Sequence, residues 1–317
     1  MSAPSALARL DQTRQAFQAL AAGYDRSEES NERLVSMRND VWRRLLELFP
    51  AGSRLLDLGC GTGIDAVYLA VRDRVVVATD ISPAMLSATR ERALAAGVGH
   101  RIGTFQVAIE ELDRLPDQQF GGIYSNRGPF NCVDDLRRAA DNCADLLPSG
   151  GYFVATVIGR WCPWEMAFYG ARGDWGRAFL RLRRGFVEVP LEGEIVPTRY
   201  FSPREFYVAF ADYFELVTYR GLGLFAPPSY LASVVHRGDR RAKADRDGRS
   251  GSNGATVPTA GGCASERRAA RLRPAPTIPP RPVSSFGMAA EWMDARFAGL
   301  PVLRSAGDLF LIVLRRR

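Results

Sequence analysis

Three glycines and two aspartates carry the most visible chemistry of this chain. Asp57-Leu58-Gly59-Cys60-Gly61-Thr62-Gly63 closes a short apolar run with glycine at every second position. Asp80 follows the glycines by about 20 residues, at the end of a second apolar run over residues 75–79. Glycine has no Cβ, so backbone N–H groups in such a turn can close directly on a ligand. A helix starting just after the turn adds the positive end of its dipole. A carboxylate at the end of the neighbouring strand offers two oxygens to the paired hydroxyls of a ribose. The spacing is not the dinucleotide pattern G-x-G-x-x-G, because position 64 is Ile64 and the third glycine is Gly63.

The elements that must hold these residues are legible around them. Residues 54–58 read as a strand, 64–70 as a helix and 75–80 as a second strand. Ser82-Pro83 gives an N-cap and a first-turn proline to a helix that Gly97 and Gly99 stop. Residues 103–108 read as a third strand and Gly121-Gly122-Ile123-Tyr124-Ser125-Asn126 as a fourth. A helix over 133–147 and the turn Pro148-Ser149-Gly150-Gly151 lead to a fifth strand at 152–158. Such alternation predicts a parallel sheet with helices on both faces.

These residues resemble a known family. Asp57–Gly63 is similar to the D/E-x-G-x-G-x-G motif of class I S-adenosylmethionine-dependent methyltransferases, and Asp80-Ile81-Ser82-Pro83-Ala84-Met85-Leu86 to the segment after their second strand. Phe17 to Asp25 resembles the F-x-x-x-A-x-x-Y-D lead-in of many small-molecule members. The resemblance implies a Rossmann-like, doubly wound α/β fold. Its seven-stranded sheet would run 3-2-1-4-5-7-6 with the last strand antiparallel. It also implies S-adenosylmethionine as cofactor, S-adenosylhomocysteine as product and no metal. The implied cofactor-binding positions are Tyr24, Asp57, Gly59, Cys60, Gly61, Gly63, Asp80, Ile81, Met85, Ile109, Glu110 and Asn126. Asp57 would hold the methionine amine, Asp80 the ribose, Met85, Ile109 and Glu110 the adenine side, and Tyr24 the methionine end.

The segments divide as N-terminal helices (1–50), a cofactor-binding core (51–158), a helical substrate lid (159–206) and C-terminal strands of the same domain (207–236 and 289–317). Phe130, Asn131, Trp161, Trp164, Glu165 and Tyr200 are the candidate substrate-facing residues. Arg181, Arg183 and Arg184 are read as a solvated face. So is Arg38, with the cofactor carboxylate as its alternative partner. Tyr24, Tyr124 and Glu165 are candidate proton acceptors, and none is singled out as a general base.

Charge narrows the function. Residues 237–281 hold eleven basic residues against four acidic ones, which accounts for the net charge of +7 and leaves the remainder balanced. A basic groove built into the fold is therefore not indicated. Residues 237–288, rich in Gly, Ser, Pro and Arg, read as a disordered insertion. Five cysteines without a C-x-x-C pair and two histidines argue against a zinc cluster or a disulfide framework. No run approaches the length of a membrane span and the N-terminus lacks a secretory signal, so the expected location is the cytoplasm. The expected activity is transfer of a methyl group to O, N or C of a small-molecule acceptor. The alternatives are a non-catalytic S-adenosylmethionine-binding protein supporting a partner, and a nucleic-acid methyltransferase using the basic insertion.

Overall fold

The computed structural model describes residues 4–25, 32–116, 119–225 and 303–317, with positions 228, 292, 293, 296–298 and 300. The expectation of disorder over 237–288 lies outside the described residues. Five parallel strands alternate with helices: β1 (Arg54–Leu58), β2 (Val75–Asp80), β3 (Ile102–Gln106), β4 (Gly122–Ser125) and β5 (Tyr152–Ile158). The hairpin strands β6 (Phe186–Leu191) and β7 (Glu194–Arg199) stand apart as a two-stranded sheet. β8 (Phe214–Leu222) and β9 (Leu309–Arg316) complete the main sheet, whose order is β3-β2-β1-β4-β5-β9-β8. β9 pairs antiparallel with both neighbours. With the hairpin left out of the count, this is the order expected from the resemblance.

Two helices precede the sheet, α1 (Ala6–Leu20) and α2 (Glu32–Leu48). Within it come α3 (Ile64–Ala70), α4 (Pro83–Ala95), α5 (Leu136–Asp145), α6 (Pro163–Gly170), α7 (Trp175–Ala178) and α8 (Pro203–Phe210). The central strands are apolar on both faces, as parallel strands covered by helices must be. On one face Val41, Leu45 and Phe49 pack with Leu55, Ala66 and Leu69. On the other, Phe130, Phe153, Phe206, Phe210 and Phe214 make an aromatic core under α5 and α8. Gly122 begins β4 because a Cβ there would sit 2.1 Å from the Phe49 ring. Local chemistry sets the helix starts. Ser82 accepts from the Met85 amide ahead of α4, and Ser202 with Glu205 forms a reciprocal capping box ahead of α8.

The 159–206 segment corrects the sequence reading. It is not helical throughout, because 186–199 is the hairpin, turned by Glu192 (φ 49°) and Gly193 (φ 100°). Among the described residues, no helix is long and apolar enough to cross a membrane.

Candidate functional site

β1 and β2 deliver their carboxyl ends to one place. After β1 the chain turns through Gly59 (φ 72°), Gly61 (φ 55°) and Gly63 (φ 77°), all left-handed, before entering α3. A Cβ on Gly61 would meet only the Tyr24 ring, 4.0 Å away, so this face of the loop is bare backbone. A Cβ on Gly59 would sit 2.5 Å from Pro129, which ties the loop to the turn after β4. Asp80 closes the other side. One carboxylate oxygen accepts from the Gly61 amide at 3.0 Å and the other from the Ser82 amide at 2.9 Å. Burial pushes its pKa up to about 6, against the pull of these amides.

Gly63 makes the loop sensitive. An alanine Cβ there would lie 2.7 Å from Thr89, whose hydroxyl donates to the Gly61 carbonyl at 2.9 Å. Thr89 cannot move aside without releasing the loop. Gly63→Ala should cost about 2 kcal/mol of stability, from the left-handed φ and the clash together. An unchanged midpoint in urea would overturn this.

The loop and Asp80 border a cavity that is open in part to solvent. Tyr24, Gly59, Gly61, Asp80, Ile81, Met85, Ile109, Glu110 and Asn126 all line it. Leu10, Thr13 and Phe17 of α1 line it as well, with Val107, Arg127, Gly128, Pro129, Cys132 and Val133. Helix α1 is held over the cavity from several sides. Gln18 accepts from the Ser82 hydroxyl and the Ala84 amide, both at 3.1 Å, and Arg9 pairs with Asp134 at 2.5 Å. Asp25, next to Tyr24, accepts from the Thr62 hydroxyl at 2.5 Å and pairs with Arg92.

Asp57, Cys60 and Gly63 do not line the cavity. Asp57 lies under the loop, where its carboxylate accepts from the Tyr124 hydroxyl at 2.9 Å. Burial, and then the neighbouring Asp65 carboxylate, hold the Asp57 pKa well above the usual range. Burial likewise raises the Cys60 thiol, so it stays neutral. Tyr124, a candidate proton acceptor in the sequence, is buried and donates its hydroxyl to Asp57.

A polar chain runs behind the wall. Asp65 accepts from the Trp42 indole at 2.6 Å and the Asn126 amide at 3.0 Å. Asn126 accepts from the Thr156 hydroxyl at 2.8 Å, which in turn accepts from the Arg127 amide at 2.7 Å. The chain fixes Arg127 at φ 73°, a conformation unfavourable for a residue with a Cβ. Arg38, expected to be solvated, is buried and lies 3.5 Å from Asp65.

None of the six candidate substrate-facing residues lines this cavity. Phe130 belongs to the aromatic core. Asn131 donates to the carbonyls of Ile158 (3.0 Å) and Arg199 (2.7 Å) and accepts from the Ile158 amide (2.8 Å), joining β5 to β7. Trp161 is half-exposed, Trp164 donates to the Leu224 carbonyl at 2.8 Å, and Tyr200 is buried. Glu165 is buried in an ion pair with Arg181. That arginine also reaches Asp308 at 2.7 Å, so it is no part of a solvated face.

The family model described as "Methyltransferase domain" matches residues 55–151. A ubiquinone biosynthesis O-methyltransferase of Marinobacter nauticus is 33% identical over 116 residues, which is 35% of this chain and 46% of that protein. A malonyl-[acyl-carrier protein] O-methyltransferase of Pectobacterium atrosepticum is 38% identical over 143 residues, 44% of this chain and 53% of that one. The chain thus spans about half the length of these relatives. Among solved structures, a chain from a complex of the Haloferax volcanii Trm112 methyltransferase activator with a candidate methyltransferase shares the fold. Its TM-score is 0.52 at 15% identity, over 96% of this chain and 97% of that one. The likeness to the class I S-adenosylmethionine-dependent methyltransferase family is thus carried by residues 55–151.

Proposed function

We propose that this protein is an S-adenosylmethionine-dependent methyltransferase acting on O, N or C of a small-molecule acceptor, with S-adenosylhomocysteine as product. One observation carries the reading: bare glycine backbone, a doubly anchored carboxylate and an apolar roof converge on a single cavity. Asp80 would hold the ribose hydroxyls above Gly59 and Gly61. Ile81, Met85 and Ile109 would flank the adenine, with Glu110 at its edge and Tyr24 and Asn126 toward the methionine end. Asp57 would act from beneath the loop. Bound S-adenosylmethionine supplies a methyl group on positively charged sulfur, already a good leaving group. The work left to the chain is alignment and exclusion of water, which proximity catalysis requires. Helix α1 covers the cavity, and Asn126 and Arg127 are fixed by the chain through Asp65 and Thr156.

The largely apolar lining and the balanced charge outside 237–281 support a small acceptor rather than nucleic acid. The names of the curated relatives point the same way. Non-catalytic cofactor binding is a second reading, favoured by the loss of Tyr124 and Glu165 as proton acceptors. Calorimetric titration with S-adenosylhomocysteine tests the shared part. Transfer of a labelled methyl group across a panel of phenols, amines and carboxylic acids separates the two readings, since a non-catalytic binder gives no labelled product.

Titration of Asp80 adds a pH signature. The ionised carboxylate is the better acceptor for ribose hydroxyls, and protonation below about pH 6 removes it. Affinity for S-adenosylhomocysteine should therefore be flat above neutrality and fall with acid, about tenfold weaker at pH 5 than at pH 7. An affinity constant across this window would count against Asp80 as the ribose ligand.

A further inference from the structure

The roof of the cavity holds a polar group with nothing to bond. Thr13 is 3% exposed and lines the cavity from α1, yet its hydroxyl has no hydrogen-bond partner. A threonine in a helix ordinarily satisfies itself by bonding back to a carbonyl one turn earlier. Thr13 does not, and a buried hydroxyl left unpaired calls for an explanation.

The position of α1 indicates which ligand would satisfy it. Leu10, one turn before Thr13, borders both this cavity and an outer groove shared with Ile81, Gln106 and Val107. Gln18, farther along the helix, is bonded to Ser82 and Ala84 at the start of α4. The stretch from Leu10 to Gln18 therefore runs along the end of β2 that presents Asp80 and Ile81. This is the nucleoside half of the proposed site. Ribose hydroxyls and adenine nitrogens can each pair with a hydroxyl, which donates and accepts.

We infer that Thr13 is a cofactor-binding residue whose hydroxyl makes a hydrogen bond from the cavity roof to the nucleoside part of S-adenosylmethionine. The inference rests on the cavity being the S-adenosylmethionine site. Thr13 also lies outside the matched stretch of 55–151, so α1 adds to the grip of the shared core.

The test is calorimetric titration of S-adenosylhomocysteine, and separately of adenosine, into the full chain and its Thr13→Val and Thr13→Ser variants. The melting temperature of each free protein is recorded alongside. Valine keeps the shape and removes the hydroxyl, whereas serine keeps the hydroxyl and removes the methyl. Thr13→Val should bind both probes about fivefold more weakly, and Thr13→Ser within about twofold of wild type. Free Thr13→Val should melt no lower than wild type, because it loses a desolvated group without a partner. Wild-type affinity in Thr13→Val overturns the inference, as does equal weakening in both variants, which would assign the effect to packing. A loss seen with S-adenosylhomocysteine but not adenosine overturns the nucleoside placement. Failure of the wild-type protein to bind S-adenosylhomocysteine would instead overturn the reading of the cavity itself.

Discussion

Asp80→Ala is expected to weaken S-adenosylhomocysteine binding at least about a hundredfold while the protein stays folded. Hydrogen bonds to a charged acceptor are worth about 1.5–3 kcal/mol each, and the proposed site gives Asp80 two of them. The carboxylate also organises its surroundings, since it accepts from the Gly61 and Ser82 amides. Alanine strands both amides and frees the loop to drift from its ligand-ready geometry. Asp80→Asn keeps the shape but trades one acceptor for a donor, so about a tenfold loss is expected for it. The fold should survive, because the substitution also removes a buried carboxyl whose ionisation is already disfavoured. Calorimetry on all three proteins reads the order. Equal affinity in Asp80→Ala would remove the ribose assignment.

Arg181→Ala should have the largest effect on stability, about 3–5 kcal/mol. Arg181 pairs with Glu165 and Asp308 and donates to the carbonyls of Gly159 (3.2 Å) and Asp308 (2.9 Å). Arg181 and Glu165 are both buried, so alanine leaves two carboxylates with little water and no counter-charge. Breaking a buried pair from one side costs far more than replacing the whole cluster with apolar groups. Arg181→Met combined with Glu165→Leu and Asp308→Leu should therefore recover much of the loss. Acid should narrow the deficit of the single variant, because protonation relieves the stranded carboxylates. Urea unfolding followed by circular dichroism measures each case, and a single variant within 1 kcal/mol of wild type would mean that the cluster is solvated.

The same cluster shows why some of the site was legible in the sequence and some was not. The glycine turn, Asp80 and the Ser82-Pro83 cap lie within one βαβα stretch, where spacing alone dictates geometry. They occupy the places that spacing predicts. Arg181 reads as surface because its partner Asp308 lies 127 residues away, and no local pattern announces that meeting. Arg38 reads as surface for the same reason, its surroundings being set by Asp65 on another element. Phe130 follows a strand end, where substrate loops occur, but its ring turns inward to Phe153 and Phe206. The hairpin did leave a signal in the alternating residues about Glu192-Gly193. Neighbouring aromatic residues at helical spacing point the other way. Thr13 left none, since an orphaned hydroxyl is visible only once its surroundings are.

The insertion of β9 between β5 and β8 has a consequence in time. Leu309 pairs with Ile158 on one side and Leu222 on the other, so among the described residues β8 joins the sheet only through β9. At ordinary rates of translation the ribosome takes on the order of ten seconds to make the intervening stretch. During that interval β5 and β8 both carry unpaired edges in the emerging chain, the condition in which strands recruit the wrong partner. The glycine loop after β1 and Asp80 at the end of β2 belong to elements finished before that interval begins.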